Sequence, residues 1–296
     1  MGALLNNSRT TKAGGGYLSE MRRPPASVRL AITAGQESVI EIGGIPIRVS
    51  CESPEFVRML EDRYSGFLSP EARPVIQFDV ELVPSGRITG EDDVAVRFES
   101  GRWLIERNDL RAEWDPAERR CRIVQSPNPY SMDTALRIVH TLILAREGGL
   151  LVHAASAVRN GKAFVFAGVS GAGKTTIASL APADVMLLTD EISYLRRKEH
   201  SFVAYGTPFA GEMARLGENI QAPQAALYFL HKGPENAIEP MRASEAVRRL
   251  MENVLFFAHD PKLVGLVFET TCELVRRVPV YQLTFVPDQR VWELIA

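Results

Sequence analysis

Phe164-Val165-Phe166-Ala167-Gly168-Val169-Ser170-Gly171-Ala172-Gly173-Lys174-Thr175-Thr176 is the stretch from which the rest of the chain can be read. The four residues at its head have the length and apolar character of a buried strand. Gly168 to Thr175 completes the pattern GxxxxGK[ST], and Thr176-Ile177-Ala178-Ser179-Leu180 begins a helix, the strand–loop–helix context that the pattern needs. Three glycines let the backbone turn tightly and aim successive N–H groups inward at phosphate oxygens. Lys174 then meets the outer phosphates and the Thr175 hydroxyl offers an oxygen to Mg²⁺, while the start of the helix adds partial positive charge. A glycine-rich turn that merely carries Lys-Thr is the competing reading, and the bare pattern arises by chance in about one chain in a hundred. The flanking strand and helix count against that alternative. Gly168, Val169, Ser170, Gly171, Ala172, Gly173, Lys174, Thr175 and Thr176 are therefore expected to bind a nucleoside triphosphate with Mg²⁺.

Downstream, Val185-Met186-Leu187-Leu188-Thr189 is a second buried strand, with Asp190-Glu191 at its carboxyl end. Ligands of open α/β sheets lie outside the carboxyl ends of the strands, so the acidic pair and the glycine loop are expected to face one crevice. One carboxylate can hold Mg²⁺, directly or through water, while the other accepts a proton from a nucleophile. A solvated acidic turn has the same composition, but a position fifteen residues beyond Thr175 weighs toward function. Upstream, His153 stands in the apolar strand Leu151-Val152-His153-Ala154-Ala155-Ser156. A lone histidine among apolar neighbours is most often a satisfied core residue, and its own neighbours leave core and catalysis both open.

The remaining organisation is coarser. Met1 to about Ala26 is too polar and glycine-rich to bury a core and reads as a disordered tail. Residues 27–127 read as a β-rich α+β domain of unassigned role, with strands at Val28–Ile32, Ser38–Ile42, Pro46–Val49, Ile76–Leu82, Val94–Glu99, Arg102–Glu106, Arg111–Trp114 and Arg120–Gln125 and one helix over Pro54–Phe67. Residues 128–296 read as an α/β domain. Apolar spacing predicts a helix over Met132–Glu147, stopped by Gly148-Gly149, then strands at Leu150–Val158, Phe202–Tyr205, Ala225–Leu230 and Val280–Val286, and helices over Ser244–Phe257 and Pro261–Arg277.

Of the residues, 46% are hydrophobic and 24% charged, and the net charge is −2, which gives no global basic field and no expectation of a nucleic-acid partner. Cys51, Cys121 and Cys272 are scattered and form no CxxC, which argues against a zinc site or a disulfide framework. No apolar signal segment opens the chain. The most apolar helical stretch, Ala135–Ala145, is too short to span a bilayer and carries Arg137 and His140. A cytoplasmic protein without a membrane partner is expected, and a homo-oligomer stays open.

The run from Leu151 through Thr176, followed by Leu187-Leu188-Thr189-Asp190-Glu191, resembles the kinase domain of HPr kinase/phosphorylase. That family sets a strand histidine, a Gly-x-Ser-Gly-x-Gly-Lys loop and an Asp-Asp pair at this kind of spacing. The resemblance extends to HPr-kinase-like proteins of bacterial gene clusters, whose Gly-Thr-Pro-Phe-Ala-Gly-Glu segment stands here as Gly206 to Glu212. ATP-dependent phosphoenolpyruvate carboxykinase is similar at a greater distance. The likeness covers roughly Gly149 to Leu230. It implies an α/β P-loop kinase core using ATP and Mg²⁺, with Asp190 as general base, His153 paired to it for proton transfer, and Glu191 with Thr175 and Asp190 around the metal. Two departures stand out. Glu191 replaces an aspartate, and the family's Glu-Ile-Arg-Gly-Leu-Gly stretch is only echoed by Glu212-Met213-Ala214-Arg215-Leu216-Gly217, so HPr as the substrate and phosphorylase activity are not implied.

Three functions compete at this point. The first is an ATP-dependent kinase acting on a serine-type hydroxyl of a peptide, protein or small molecule, with Tyr205 to Gln221 as a closing loop and Arg215 as a candidate contact to the transferred group. The second is a non-catalytic ATP-binding module or an ATPase that controls a partner protein. The third is a small-molecule enzyme nearer the carboxykinase. A pure binder has no use for a base, which favours the first over the second.

Overall fold

Gly43 and Gly44 both have positive φ, 62° and 73°, in the two-residue turn between β1 (Gln36–Ile42) and β2 (Ile45–Cys51). Such a turn matches the twist of the strands it joins. It pairs Ile42 with Ile45 and Ile40 with Ile47, all buried on one face. The computed structural model describes residues 36–86, 93–209, 211 and 217–295, all within one compact unit, Ala34–Ala296. The expected tail Met1–Ala26, the strand Val28–Ile32 and Arg215 lie outside the described residues.

Helix α1 (Pro54–Arg63) begins where Ser53 Oγ accepts the Phe56 N–H at 3.3 Å and Pro54 takes the first turn, positions that favour a cap and a missing N–H respectively. It ends at Arg63, and Ser65–Phe67 is a separate 3₁₀ turn, so the helix expected over Pro54–Phe67 comes in two pieces. This crossover lets β3 (Ile76–Leu82) lie parallel to β2. β4 (Ala95–Glu99), β5 (Arg102–Arg107), β6 (Leu110–Asp115) and β7 (Arg120–Gln125) form an antiparallel meander, and β7 docks parallel to β3. The order is β1-β2-β3-β7-β6-β5-β4.

Helix α2 (Pro129–Glu147) starts one turn before Met132, because Asn128 accepts the Tyr130 N–H at 2.9 Å and Pro129 occupies the first position. It ends on Gly148 at φ 74°. Met132, Leu136, Ile138, Val139 and Leu142 are fully buried, since α2 packs against α1 and β6 on the side of the first sheet and against β8, β11 and α5 of the second. Arg63 and Tyr64 tie α1 to α2 through Asp133, the Tyr64 hydroxyl donating at 2.5 Å. Asp133→Asn keeps the shape of this joint but halves its charge-assisted bonding. A loss of about 1–2 kcal/mol is expected, read as a lower urea midpoint with an unchanged slope.

The second sheet turns on β8 (Gly149–Arg159). Its first half pairs with β11 (Ile192–Lys198) and β15 (Val254–Leu255), and its second half with β9 (Lys162–Ala167) and β10 (Met186–Thr189). β13 (Gln221–Lys232) is shared in the same way between β12 (Ser201–Tyr205), β9 and β16 (Val280–Phe285), with β14 (Ala237–Pro240) beyond. The pairings β8–β11–β12–β13–β9 therefore close into a ring. The whole is a mixed α/β fold with large sheets and few helices. Its second sheet is parallel at β9–β13 and β13–β16 and antiparallel elsewhere, so it is not the predominantly parallel sheet that a run of buried strands suggests.

The expected helix Ser244–Phe257 is corrected to α4 (Ala243–Asn253). Val254 and Leu255 leave it to pair with Val152 and Leu151, covering an edge of β8. α5 (Pro261–Arg277) has its expected bounds. Helix α3 (Lys174–Ser179) rests on a cluster of its own, where Ile177 and Phe166 meet Trp292. The Trp292 indole N–H donates to the Ile177 carbonyl at 3.1 Å. Cys51 and Cys121 are buried and Cys272 half-buried, all with free thiols. Among the described residues no helix is long and apolar enough to cross a membrane.

Candidate functional site

The glycine loop leaves the carboxyl end of β9 and enters α3 at Lys174. Gly171 and Gly173 have φ of 76° and 109°, a region that side chains with a Cβ rarely adopt. A Cβ on Gly173 would also stand 2.6 Å from the Phe285 ring, and one on Gly168 2.8 Å from Ala172 Cβ. Conformation and close approach both demand glycine here. Lys174 is 8% exposed, and its ammonium donates to the carbonyls of Gly168 at 3.0 Å and Val169 at 3.3 Å, which folds it into the hollow of the loop. Val169, Ser170 and Gly171 are exposed at the rim, and Ala172, Thr175 and Thr176 are half-buried. Six residues of helix follow, so the axial dipole is small and the loop N–H groups carry most of the positive potential toward an anion.

β10 runs antiparallel to β8, as β9 does, so β9 and β10 point the same way and end on the same side of the sheet. Thr189 Oγ1 accepts the N–H groups of Glu191 at 3.2 Å and Ile192 at 3.1 Å, a side-chain turn that ends the strand and fixes the acidic pair beyond it. Asp190 is 5% exposed and accepts the Gly211 N–H at 3.0 Å. A Cβ on Gly211 would lie 2.9 Å from Asp190 Oδ2, so only glycine lets this loop approach. The loop runs beside β10, with Thr207 N–H on the Leu188 carbonyl and Glu218 N–H on the Leu187 carbonyl at 3.0 and 2.9 Å.

His153 is half-buried, the single break in the burial of β8 from Gly149 to Val158. It faces Ile192 across the ladder, and the next residue, Ala154, donates its N–H to the Glu191 carbonyl at 2.9 Å. Among the described residues no hydrogen bond joins His153 to Asp190; the two strands bring the histidine to the acidic turn. Burial holds the imidazole below its ordinary pKa, and the charges of Lys174 and Arg137 push the same way, so it is neutral at neutral pH. Burial also lifts the Glu191 carboxyl above the ordinary carboxylate range, helped by Asp190 and opposed by Arg137 and Lys174. Lys174 and Arg137 thus act electrostatically on both His153 and Glu191.

Arg137 escaped the sequence reading, which treats it only as a charge that spoils an apolar helix. That same fact was the available signal: a charge between Leu136 and Ile138, both fully buried, needs a reason. His140 on the same helix is core, fully buried with Nδ1 3.0 Å from the Tyr194 hydroxyl.

Thr175, Asp190 and Glu191 supply hard oxygen donors. Among the described residues no group of three or more His, Cys, Asp or Glu is arranged to hold a metal. Mg²⁺ is commonly held by one or two carboxylates together with nucleotide phosphates and waters, a donor set that Thr175, Asp190 and Glu191 match in kind.

No curated protein sequence matches the chain. The solved Hpr(Ser) kinase/phosphatase from Coxiella burnetii is similar to it at 18% identity and a TM-score of 0.23, over 43% of this chain and 88% of its own, and a likeness of that size carries no argument here. The model of the SynChlorMet cassette protein ScmC family matches residues 126–296, more than half of the chain and every candidate site residue described above, and the chain belongs to that family.

Proposed function

We propose that the chain is an ATP- and Mg²⁺-dependent phosphotransferase with a P-loop kinase core of the HPr kinase type, passing the terminal phosphate to a serine-type hydroxyl on a peptide, protein or small molecule. The observation that carries the reading is the complete glycine loop at the end of β9 and the Asp190-Glu191 turn at the end of the equally directed β10, on the same side of the sheet and separated by β8. Phosphoryl transfer needs alignment, charge neutralisation and a group to take the acceptor's proton. The loop N–H groups and Lys174 hold the phosphates, and Thr175 and Glu191, with Asp190 close by, would hold Mg²⁺, which would supply neutralisation of the phosphate charge. The acceptor oxygen forms the new bond to phosphorus as the bond to the ADP oxygen breaks, and its proton passes to the Asp190 carboxylate. The Gly211 N–H keeps that carboxylate oriented, and neutral His153 borders the path without adding a charge. In this reading residues 27–127 form a supporting module, joined to the core through α2.

Lys174→Ala is expected to weaken MgATP binding roughly ten- to a hundredfold, the worth of one charge-assisted contact of about 1.5–3 kcal/mol, in a chain that still melts cooperatively. Calorimetric titration checks it, and unchanged affinity would remove the loop from nucleotide binding. With labelled ATP and a panel of hydroxyl-bearing peptides and metabolites, one acceptor should gain one phosphate per ADP released. Hydrolysis at a single rate with every acceptor and with none would make the protein an ATPase instead.

A further inference from the structure

Arg137 is a cation that this mechanism does not use. Arg63, Arg107, Arg196 and Arg197 each hold a carboxylate. Among the described residues no hydrogen bond or ion pair reaches the Arg137 guanidinium, and its Nε is fully buried with no acceptor. The guanidinium lies over the ring of Phe209, whose centroid is 5.0 Å from the guanidinium carbon. Phe209 is 1% exposed, and it belongs to the same loop that binds Asp190 through Gly211. Stacking covers a face of a planar guanidinium and leaves its in-plane N–H edge for a partner. Burying the Nε donor without an acceptor is costly, and the rest of the half-buried side chain is open to a partner. Phe209 stands two residues from Gly211, whose N–H meets Asp190, so the stacked guanidinium lies under the loop that borders the acidic turn.

We propose that Arg137 is an oxyanion-binding residue, its N–H edge gripping a phosphoryl or carboxylate group in the crevice while Phe209 fixes the plane of the guanidinium. This deepens the phosphotransferase reading and rests on it for the position of the nucleotide. The oxyanion has two sources, the terminal phosphoryl group of ATP or an anionic group on the acceptor. Because Phe209 and Gly211 share one short loop, a grip on Arg137 also links anion binding to the loop that orients Asp190.

The full chain is titrated with MgATP, with MgADP, and with inorganic phosphate in the presence and absence of MgADP, as wild type, Arg137→Met and Arg137→Lys. Arg137→Met should lower affinity for an oxyanion about tenfold, as expected for one charge-assisted contact. Arg137→Lys should recover only part of it, because an ammonium cannot reproduce the fork. Loss for MgATP with MgADP unchanged identifies the terminal phosphoryl group. Loss for phosphate alone identifies the acceptor side. Identical affinities for all probes in wild type and Arg137→Met overturn the proposal. The thermal midpoint of Arg137→Met should equal or exceed that of wild type, since methionine keeps contact with the Phe209 ring and removes the unsatisfied donors. A midpoint lower by several degrees would make Arg137 a structural tie and also overturn it. Should wild type bind phosphate but neither nucleotide, the phosphotransferase reading fails, and an Arg137-dependent phosphate affinity still upholds this one. Binding of no oxyanion by wild type overturns both.

Discussion

Asp190→Asn is expected to bind MgATP with nearly wild-type affinity and to transfer its phosphate roughly 10²–10⁴ times more slowly, the usual share of general-base catalysis. The amide keeps the shape of the carboxylate, and its oxygen can still accept the Gly211 N–H that Asp190 Oδ1 now takes at 3.0 Å. The loop beside β10 should therefore stay in place, which Asp190→Ala would not guarantee. What disappears is the ability to take a proton. Single-turnover transfer from labelled ATP, set beside a binding titration, separates the two effects. Full transfer by the asparagine variant would assign the proton elsewhere, and equal loss of binding and rate would make Asp190 a nucleotide or metal contact first.

In the proposed mechanism His153 would decide how the proton is shared. No hydrogen bond joins it to Asp190 among the described residues, and the charges nearest it in effect are the cations Lys174 and Arg137. The ladder still sets it beside the acidic turn, since its partner across β11 is Ile192. A neutral imidazole in that position can relay a proton without competing with Mg²⁺ for the carboxylates. This distinguishes it from His140, which lies on α2, fully buried against Tyr194.

The parts of the site that the sequence made legible are those whose geometry is local. The glycine loop needs φ of 76° at Gly171 and 109° at Gly173, and only a few residue types serve, so the letters announce the turn. Asp190-Glu191 was readable because a short apolar strand ends there. α5 was readable to both ends because Asp260 caps it, accepting the Leu263 N–H at 2.8 Å, and apolar spacing carries it to Arg277. β11 was not, because three of its seven residues are the charged run Arg196-Arg197-Lys198, which lacks the apolar alternation of a strand. Its strand character comes from β8 and β12 on either side. Val254-Leu255 continues the apolar spacing of α4, and only the open edge of β8 draws it into a ladder. Arg137 was missed for a related reason. Its meaning depends on Phe209 and Glu191, which the chain brings to it from more than fifty residues away.

The second large effect is one of acid on stability, and His140 carries it. The ring is fully buried on α2, edge-on to Tyr194 with centroids 5.4 Å apart. Nδ1 meets the Tyr194 hydroxyl at 3.0 Å, while Nε2 is buried with no partner. Charging the ring would place a proton on both nitrogens, one of them without an acceptor, and burial together with the charge of Arg196 pushes the pKa down to about 3. In the unfolded chain the same histidine titrates near pH 6.5. Below that pH the unfolded state binds a proton that the folded state refuses, so stability falls as pH falls. The slope is about 1.4 kcal/mol per pH unit once the unfolded histidine is fully charged. His140→Leu removes the titration and leaves the Tyr194 hydroxyl without its partner, a cost of about 1–3 kcal/mol near neutrality. Urea midpoints of the two proteins should therefore converge as pH is lowered from about 6.5 to 4.5, with their stability difference changing by about 2–3 kcal/mol. His153, also lowered by burial, is present in both and drops out of the difference. Parallel stability curves over that range would mean that water or a rearranged core lets the folded protein charge His140, and that α2 is less firmly packed at its centre than the buried ring implies.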